Sequence, residues 1–339
     1  MVSMKEIAAM CNVSVATVSK ALNNHTDISD ETKTMIRRKA DELGYVPNPA
    51  ARALKTHTTY NIGVLFYDEA HTGLTHEFFA SILEAVKETA ELSGYDITFI
   101  SHFVGGRKVS YAEHSRYRRV DGVVIVCANF DDPEVIDLVH CGLPVVTIDH
   151  TFDNCSAVMS DNVRGMRDIV NYVYQCGHRR IAFLHGAPSS VTSCRLASFY
   201  RTCEELGLQA TDDNVIECDY HDIDRAEMLT RRLMQRRSRP TCIIYPDDIT
   251  AISGISVIRD MGCRVPDDVS VVGYDGIAFG QSVHPKLTTL KQDVVTMGSD
   301  AAHDLIDQIE HPKSAIKKIT TVPGMLIEGG TLAKLPVNE

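Results

Sequence analysis

The chain has 339 residues, 44% of them apolar and 23% charged, which leaves room for two or three domains at roughly 100–200 residues each. That composition excludes a disulfide-stapled mini-protein and a disordered chain. The longest apolar strings, such as Val123-Val124-Ile125-Val126-Cys127, run to about five residues where a membrane helix needs ~20. Net charge is −11 at pH 7, but unevenly placed: residues 1–60 carry eight Lys/Arg against six Asp/Glu, and residues 61–339 carry 26 against 39, so the first sixty residues stand apart.

Met1-Val2-Ser3-Met4-Lys5-Glu6-Ile7 lacks the basic stretch and apolar run of a secretory signal, and a cytoplasmic, nucleoid-associated location is expected. Ser3-Met4-Lys5-Glu6 is a capping box that predicts a helix of about seven residues with Ile7 and Met10 on one face. Cys11-Asn12-Val13 interrupts it, and Ser14 caps a second helix, Val15 to about Leu22, with Val18 and Leu22 turned inward. A third helix follows, capped by Ser29, with Asp30 and Glu31 in its first turn, Ile36, Ala40 and Leu43 as its stripe, and Gly44 as its stop. On the second helix Val15, Ala16, Thr17, Ser19 and Lys20 point outward. A face of small and hydrogen-bonding groups with one cation fits a major groove, where Lys20 reaches a guanine edge or a phosphate and Val15 or Ala16 a thymine methyl. Three helices alone favour a helical adaptor that touches no nucleic acid; the exposed face is what shifts the reading to DNA.

In Tyr45-Val46-Pro47-Asn48-Pro49-Ala50-Ala51-Arg52-Ala53-Leu54-Lys55, Asn48 caps and Pro49 suits the first helical position. The resulting helix falls short of the ~12–15 residues needed for isolated stability and is expected only against a partner. These three segments, above all Val13-Ser14-Val15-Ala16-Thr17-Val18-Ser19-Lys20-Ala21-Leu22-Asn23, Leu43-Gly44-Tyr45-Val46-Pro47-Asn48 and Ala50-Ala51-Arg52-Ala53-Leu54, resemble in order and spacing the headpiece and hinge of the LacI/GalR family of bacterial repressors. The resemblance implies a homodimer on a pseudo-palindromic double-stranded operator. It assigns DNA contacts to Ser14, Val15, Ala16, Thr17, Ser19, Lys20, Asn23, Arg52, Leu54 and Lys55. Leu54 matches the family's lever leucine, which wedges into the central base step of the minor groove. Lys20 stands where the family frequently has Arg.

From residue 61 onward strands alternate with helices, and the segment types recur. Asn61-Ile62-Gly63-Val64-Leu65-Phe66 resembles Arg180-Ile181-Ala182-Phe183-Leu184-His185, Gly122 to Val126 resembles Thr241 to Tyr245, and Leu143 to Asp149 resembles Asp268 to Asp275. The offsets, 118 from Gly63 to Ile181, 119 from Val123 to Cys242 and 126 from Val146 to Val272, predict two lobes of one topology. Apolar strands with little alternation suit parallel sheets covered by helices on both faces, and Phe78–Leu92 and Val163–Cys176 supply such helices. Ligands of such sheets bind beyond the carboxyl ends of the strands, where Asp149, Asp247, Asp248 and Asp275 fall. Each of these also reads as a turn or capping aspartate.

Gly177 to Ala182 and Val265 to Asp275 resemble the effector domain of the same family, which is similar to periplasmic sugar-binding proteins. The implied architecture is an all-α helix-turn-helix headpiece (1–46), a hinge helix and linker (47–59), and a two-lobed α/β periplasmic-binding-protein-like effector-binding and dimerisation domain with parallel sheets (60–339). Its first lobe takes about 60–160 plus 290–322, its second about 161–289 plus 323–339. The implied effector contacts are Phe78, Phe79, Asp149, Arg195, Tyr220, Asp247 and Asp275. The loop Ser189-Ser190-Val191-Thr192 receives no role. The expected effector is a small neutral sugar; no cofactor, metal or membrane partner is expected.

Ten cysteines from Cys11 to Cys263 form no CxxC pair and read as small buried thiols. An α/β enzyme and a sugar-binding protein without DNA activity are the rival readings. His76-Glu77-Phe78-Phe79-Ala80 starts like a zinc-protease HExxH but has Ala80 at the second ligand position, and there is no GxxxxGK[ST], GxSxG or strand-following GxGxxG.

Overall fold

The computed structural model describes residues 2–22, 25–45, 58–68 and 73–336. Its contacts divide into two units, Met1–Thr59 and Tyr60–Glu339. In the first, α1 (Met4–Met10) begins at Ser3, whose Oγ accepts from the Glu6 N–H while the Glu6 carboxylate accepts from the Ser3 N–H at 2.7 Å. The turn after it leads to α2 (Val15–Leu22), where Ser14 Oγ accepts from the Thr17 N–H at 3.0 Å. Ser29 caps α3 (Asp30–Glu42) in the same way, and Gly44, at φ 62°, takes the left-handed turn that ends it. Ile7, Ala8, Val18, Ala21, Ile36 and Ala40 form the core. The expected Ile7–Met10 face is corrected: Met4, Ile7, Ala8 and Cys11 share the inward stripe at i, i+3, i+4, i+7, which turns Met10 outward, 61% exposed.

The second unit follows the expected alternation. β1 (Asn61–Phe66) leads to helix Glu77–Leu92, then β2 (Asp96–Ile100), a small hairpin of β3 (Phe103–Val104) and β4 (Arg107–Lys108), and helix Tyr111–Arg118. β5 (Gly122–Cys127), helix Pro133–Val139, β6 (Val145–Ile148) and β7 (Ser156–Ser160) complete the first pass. The chain then forms helix Asn162–Gln175, β8 (Ile181–His185), helix Ser190–Glu205, β9 (Val215–Glu217), helix Ile223–Met234, β10 (Cys242–Ile244), helix Asp248–Asp260, β11 (Ser270–Asp275) and β12 (Thr288–Lys291). It closes with helix Val294–Glu310, β13 (Ile319–Val322) and β14 (Met325–Ile327). One sheet runs β13-β7-β6-β5-β1-β2, every pair parallel; the other runs β14-β12-β11-β10-β8-β9, parallel except for β14 against β12.

Both sheets are buried on both faces, which is why their strands read as unbroken apolar runs. Ile62, Val64, Val124 and Val126 pack on one side of the first sheet, under helices Glu77–Leu92 and Val294–Glu310, while Leu65, Val123 and Ile125 pack on the other with Tyr111, Val135 and Leu138. In the second sheet Leu184, Ile243 and Val271 face helices Ile223–Met234 and Asp248–Asp260, and Phe183, Ile244 and Val272 face helices Asn162–Gln175 and Ser190–Glu205. The chain crosses between lobes three times, after β7, after β12 and between β13 and β14. The Asp161 N–H donates to the Val322 carbonyl at 2.9 Å, tying two of these crossings together. Among the described residues the ten cysteines form no disulfide; Cys155, Cys176, Cys203, Cys218 and Cys242 are buried, whereas the other five are partly exposed, which corrects the expectation of uniformly buried thiols.

Candidate effector cleft and DNA-reading face

Each parallel strand delivers the first residues of the following loop or helix to its carboxyl end. Three contacts show that these ends of the two sheets meet. Ser190 Oγ donates to the Asp149 carbonyl at 2.8 Å, the Ala278 N–H donates to the Glu77 carboxylate at 2.6 Å, and the rings of His76 and His221 lie 3.9 Å apart.

Arg195, one turn into helix Ser190–Glu205, lies at the centre and is only 4% exposed. Its Nε donates to Asn162 Oδ1 at 2.8 Å and its Nη1 to the Pro246 carbonyl at 3.0 Å. The guanidinium lies 3.4 Å over the Tyr274 ring and 5.8 Å from that of Tyr220, a cation–π arrangement that strengthens with desolvation. Burial pushes the Asp275 carboxyl up to about 7, against the pull of Arg195 and a hydrogen bond from Gln292 Nε2 at 2.7 Å; nearby Asp247 and Asp149 push the same way as burial. Burial also raises Asp149, opposed by the Ser160 N–H, which donates to it at 2.7 Å, and by Arg195. Both residues have left-handed backbone, φ 55° at Asp149 and 104° at Asp275, a conformation costing on the order of 1–3 kcal/mol that clusters at ligand sites.

Asp247 does what a capping aspartate does, accepting from the Thr250 N–H at 2.8 Å, and its other oxygen accepts from the His221 N–H at 2.9 Å. Asp248 is a buried strut: it accepts from Thr289 Oγ1 at 2.6 Å and the Ile277 N–H at 2.8 Å, and burial raises its pKa well above the usual range. Tyr220 shares a hydrogen bond with Thr192 Oγ1 at 2.9 Å and lies flat against Gly186, where a Cβ would come 2.0 Å from its ring. Glycine is required there by that approach.

Arg195, Tyr220, Asp149, Asp247 and Asp275 are thus gathered in one cluster, Arg195 and Asp247 buried and the other three half-buried. Phe79 reaches its edge, packed on Phe66 at 5.5 Å and His76 at 4.6 Å. Phe78 does not: it belongs to the first lobe's core with Ile82 and Val86, because adjacent helical residues diverge by about 100° and only one of the pair can face the cleft. The loop Ser189 to Thr192, given no role from sequence, is corrected too. Ser189 caps its helix by accepting from the Thr192 N–H at 3.1 Å, and Ser190 and Thr192 then bond to cleft groups. Asn162, Gln292, His76 and His221 also escaped the sequence reading. His76 Nδ1 and Gln292 Oε1 are buried without a protein partner. The HExxH-like start drew attention to Ala80 as a failed metal ligand, while the true neighbour of His76 is His221. Among the described residues no group of three or more His, Cys, Asp and Glu is placed to hold a metal, and no helix is long and apolar enough to cross a membrane.

On the headpiece, Ser14, Val15, Ala16 and Lys20 are exposed and Thr17 and Ser19 half-buried, on the face opposite Val18 and Ala21. Asn23, Arg52, Leu54 and Lys55, with the hinge helix expected at 47–59, lie in or largely in residues outside those described.

Residues 3–48 match the family described as bacterial regulatory proteins, lacI family, and residues 170–332 match the periplasmic binding protein-like domain. The HTH-type transcriptional repressor PurR of Haemophilus influenzae is 28% identical over 327 residues, 95% of each chain, and that of Pasteurella multocida is 29% identical over 99% of this chain and 100% of its own. Among solved structures, a Lac repressor dimer bound to operator and the anti-inducer ONPF superimposes with a TM-score of 0.80 at 24% identity, covering 98% of this chain and 99% of the other. The transcriptional regulator CelR in complex with cellobiose gives 0.72 at 24% identity over 98% and 100%. Repressors, not enzymes, align over nearly the full length. Headpiece and two-lobed domain match in the same chain, and this protein belongs to the lacI family of bacterial regulatory proteins, a DNA-binding transcriptional regulator.

Proposed function

We propose that this regulator is a cytoplasmic, nucleoid-bound homodimeric repressor of carbohydrate-metabolism genes. A small neutral, hydroxyl-rich effector would close the cleft and change its hold on a pseudo-palindromic operator. The headpiece would read DNA through Ser14, Val15, Ala16, Thr17, Ser19 and Lys20, with Asn23, Arg52, Leu54 and Lys55 completing the contact. The observation that carries the effector reading is the acceptor excess in the cleft: Asp149 and Asp275 lie near one guanidinium, Arg195, itself committed to Asn162 and Pro246, and Asp247 lies near Asp275. Carboxyl groups accept from hydroxyls, Tyr220 and Phe79 offer ring faces for the apolar side of a sugar, and a phosphorylated ligand would add negative charge beside carboxyl groups that burial already disfavours in their charged form. The cellobiose held by CelR is of this chemical class. Coupling to DNA needs only that the ligand prefer one lobe arrangement, and about 1–3 kcal/mol is typical of such linkage.

A thermal-shift screen of neutral sugars, sugar phosphates and nucleobases tests this. At 100 times its Kd the effector stabilises the protein by ~2.7 kcal/mol, and Asp275→Ala removes that shift. Stabilisation by phosphorylated compounds or nucleobases alone would overturn the neutral-hydroxyl assignment.

A further inference from the structure

Helix α2, the element that carries the DNA-reading positions, has a single cation, Lys20, and the protein itself engages it. Lys20 Nζ donates to the carboxylate of Asp27, in the loop before α3. The two side chains are 47% and 52% exposed, so the pair lies at the surface. The hydrogen bond from Lys20 holds the Asp27 carboxyl below its usual range, and His25 adds a smaller pull in the same direction. The headpiece pairs Lys33–Asp30, Arg38–Glu42 and Lys39–Glu42 lie within α3 and leave α2 untouched. Over residues 1–45 six Lys/Arg face six Asp/Glu, so this part of the headpiece has no net charge with which to attract a polyanion, and the state of Lys20 weighs correspondingly more.

We propose that Asp27 is a specificity-determining residue for DNA: it occupies Lys20 on random sequence and yields it where a base edge offers a better-placed acceptor. The inference rests on the reading of α2 as the DNA-reading helix. Binding to random sequence is almost wholly phosphate electrostatics. There Lys20 gains a phosphate only by giving up a carboxylate, an exchange of one exposed anion for another with little net gain. A guanine presenting O6 and N7 in fixed geometry offers two acceptors at once and outcompetes the single carboxylate. Asp27 therefore lowers random-sequence affinity more than operator affinity, and in a genome of competing sites that ratio is the quantity that matters.

The test uses the full chain and two duplexes, one of random sequence and one recovered from a randomised pool by selection with the wild-type protein, with anisotropy titrations from 50 to 200 mM salt. Asp27→Asn is expected to tighten the random duplex about five- to tenfold at the lowest salt and to steepen its log affinity against log salt by roughly one per headpiece, because each freed lysine releases one more counterion. The selected duplex should tighten less than about threefold, so discrimination falls. In a Lys20→Ala background Asp27→Asn should change random-duplex affinity by less than about twofold. An undiminished effect in that background would mean that Asp27 merely repels phosphate, and an unchanged or weaker random-duplex affinity in Asp27→Asn would mean that Lys20 is not withheld. Either overturns the proposal while DNA binding by the headpiece stands. A wild type that binds neither duplex would overturn the DNA reading and this inference with it.

Discussion

The second lobe brings Ser190, Thr192, Arg195, Tyr220, Asp247, Asp275 and Gln292 to the cleft, whereas the first brings Asp149, His76 and Phe79. The difference is also one of connection. On the second lobe Thr192 bonds Tyr220, Asp247 bonds the His221 backbone, Gln292 bonds Asp275, and Arg195 is held by Asn162 and the Pro246 carbonyl. The first lobe reaches across through the Asp149 carbonyl, the Glu77 carboxylate and the His76 ring. Two lobes of one topology therefore play different parts, the second as a preorganised template and the first as a cover held by a few exchangeable contacts.

The largest expected effect strikes the template. Arg195→Met leaves the Pro246 carbonyl without its donor and Asn162 Oδ1 with only the long bond from the Tyr274 hydroxyl at 3.5 Å. At roughly 1–3 kcal/mol for a buried unsatisfied group, and with the lost cation–π packing, urea denaturation should show a loss near about 3 kcal/mol. A loss under about 1 kcal/mol would mean that the second lobe is not organised around this side chain. Gly186→Ala sets a Cβ against the Tyr220 ring and should cost about 2 kcal/mol by overpacking. Adding Tyr220→Ala relieves the clash, so the double variant should be less destabilised than the two singles combined; simple additivity would place the ring elsewhere.

The smallest effect sharpens the view of the cover. Burial first, and then the neighbouring His221, hold His76 at about 4 against its ordinary 6.5, while Asp68 and Asp247 pull it upward. Its depressed value means that the native state binds fewer protons here than the unfolded chain does. The contribution is present in full above pH 6.5 and is lost as pH falls toward 4. Asp275 and Asp149, raised by burial, act in the opposite direction, taking up protons in the native state as pH falls. Comparison with His76→Phe, which keeps a ring over His221, isolates the histidine: between pH 7.5 and 5.5 the wild type should lose about 1.4 kcal/mol relative to the variant, close to one pH unit of linkage. Parallel denaturation curves at the two pH values would show that the ring pair is open to solvent.

What the sequence made legible was whatever is encoded locally. The Ser3–Glu6 box, the Ser14 and Ser29 caps and the strand runs each need only a few neighbouring residues. The cleft aspartates were visible because apolar runs stop at them. The cleft's remaining polar groups were not visible, because their meaning lies in partners far along the chain: Ser190 in Asp149, Asn162 in Arg195, His76 in His221. Neither periodicity nor spacing links such pairs. Phe78 and Phe79 were indistinguishable for a related reason, since which of two adjacent aromatics faces the sheet depends on how the helix is rotated against it.

The crossings between the lobes lead to one more consequence. The Ser160 N–H that bonds Asp149 belongs to the last residue before the first crossing, and the Gln292 amide that bonds Asp275 belongs to the second. Two carboxyl groups of the cleft are therefore fastened to the crossings that join the lobes. Under the proposed function, a hydroxyl competing for either carboxylate would draw on the same bonds that anchor these crossings, so recognition would act at the axle between the lobes, where a small displacement translates into a larger one at the rim.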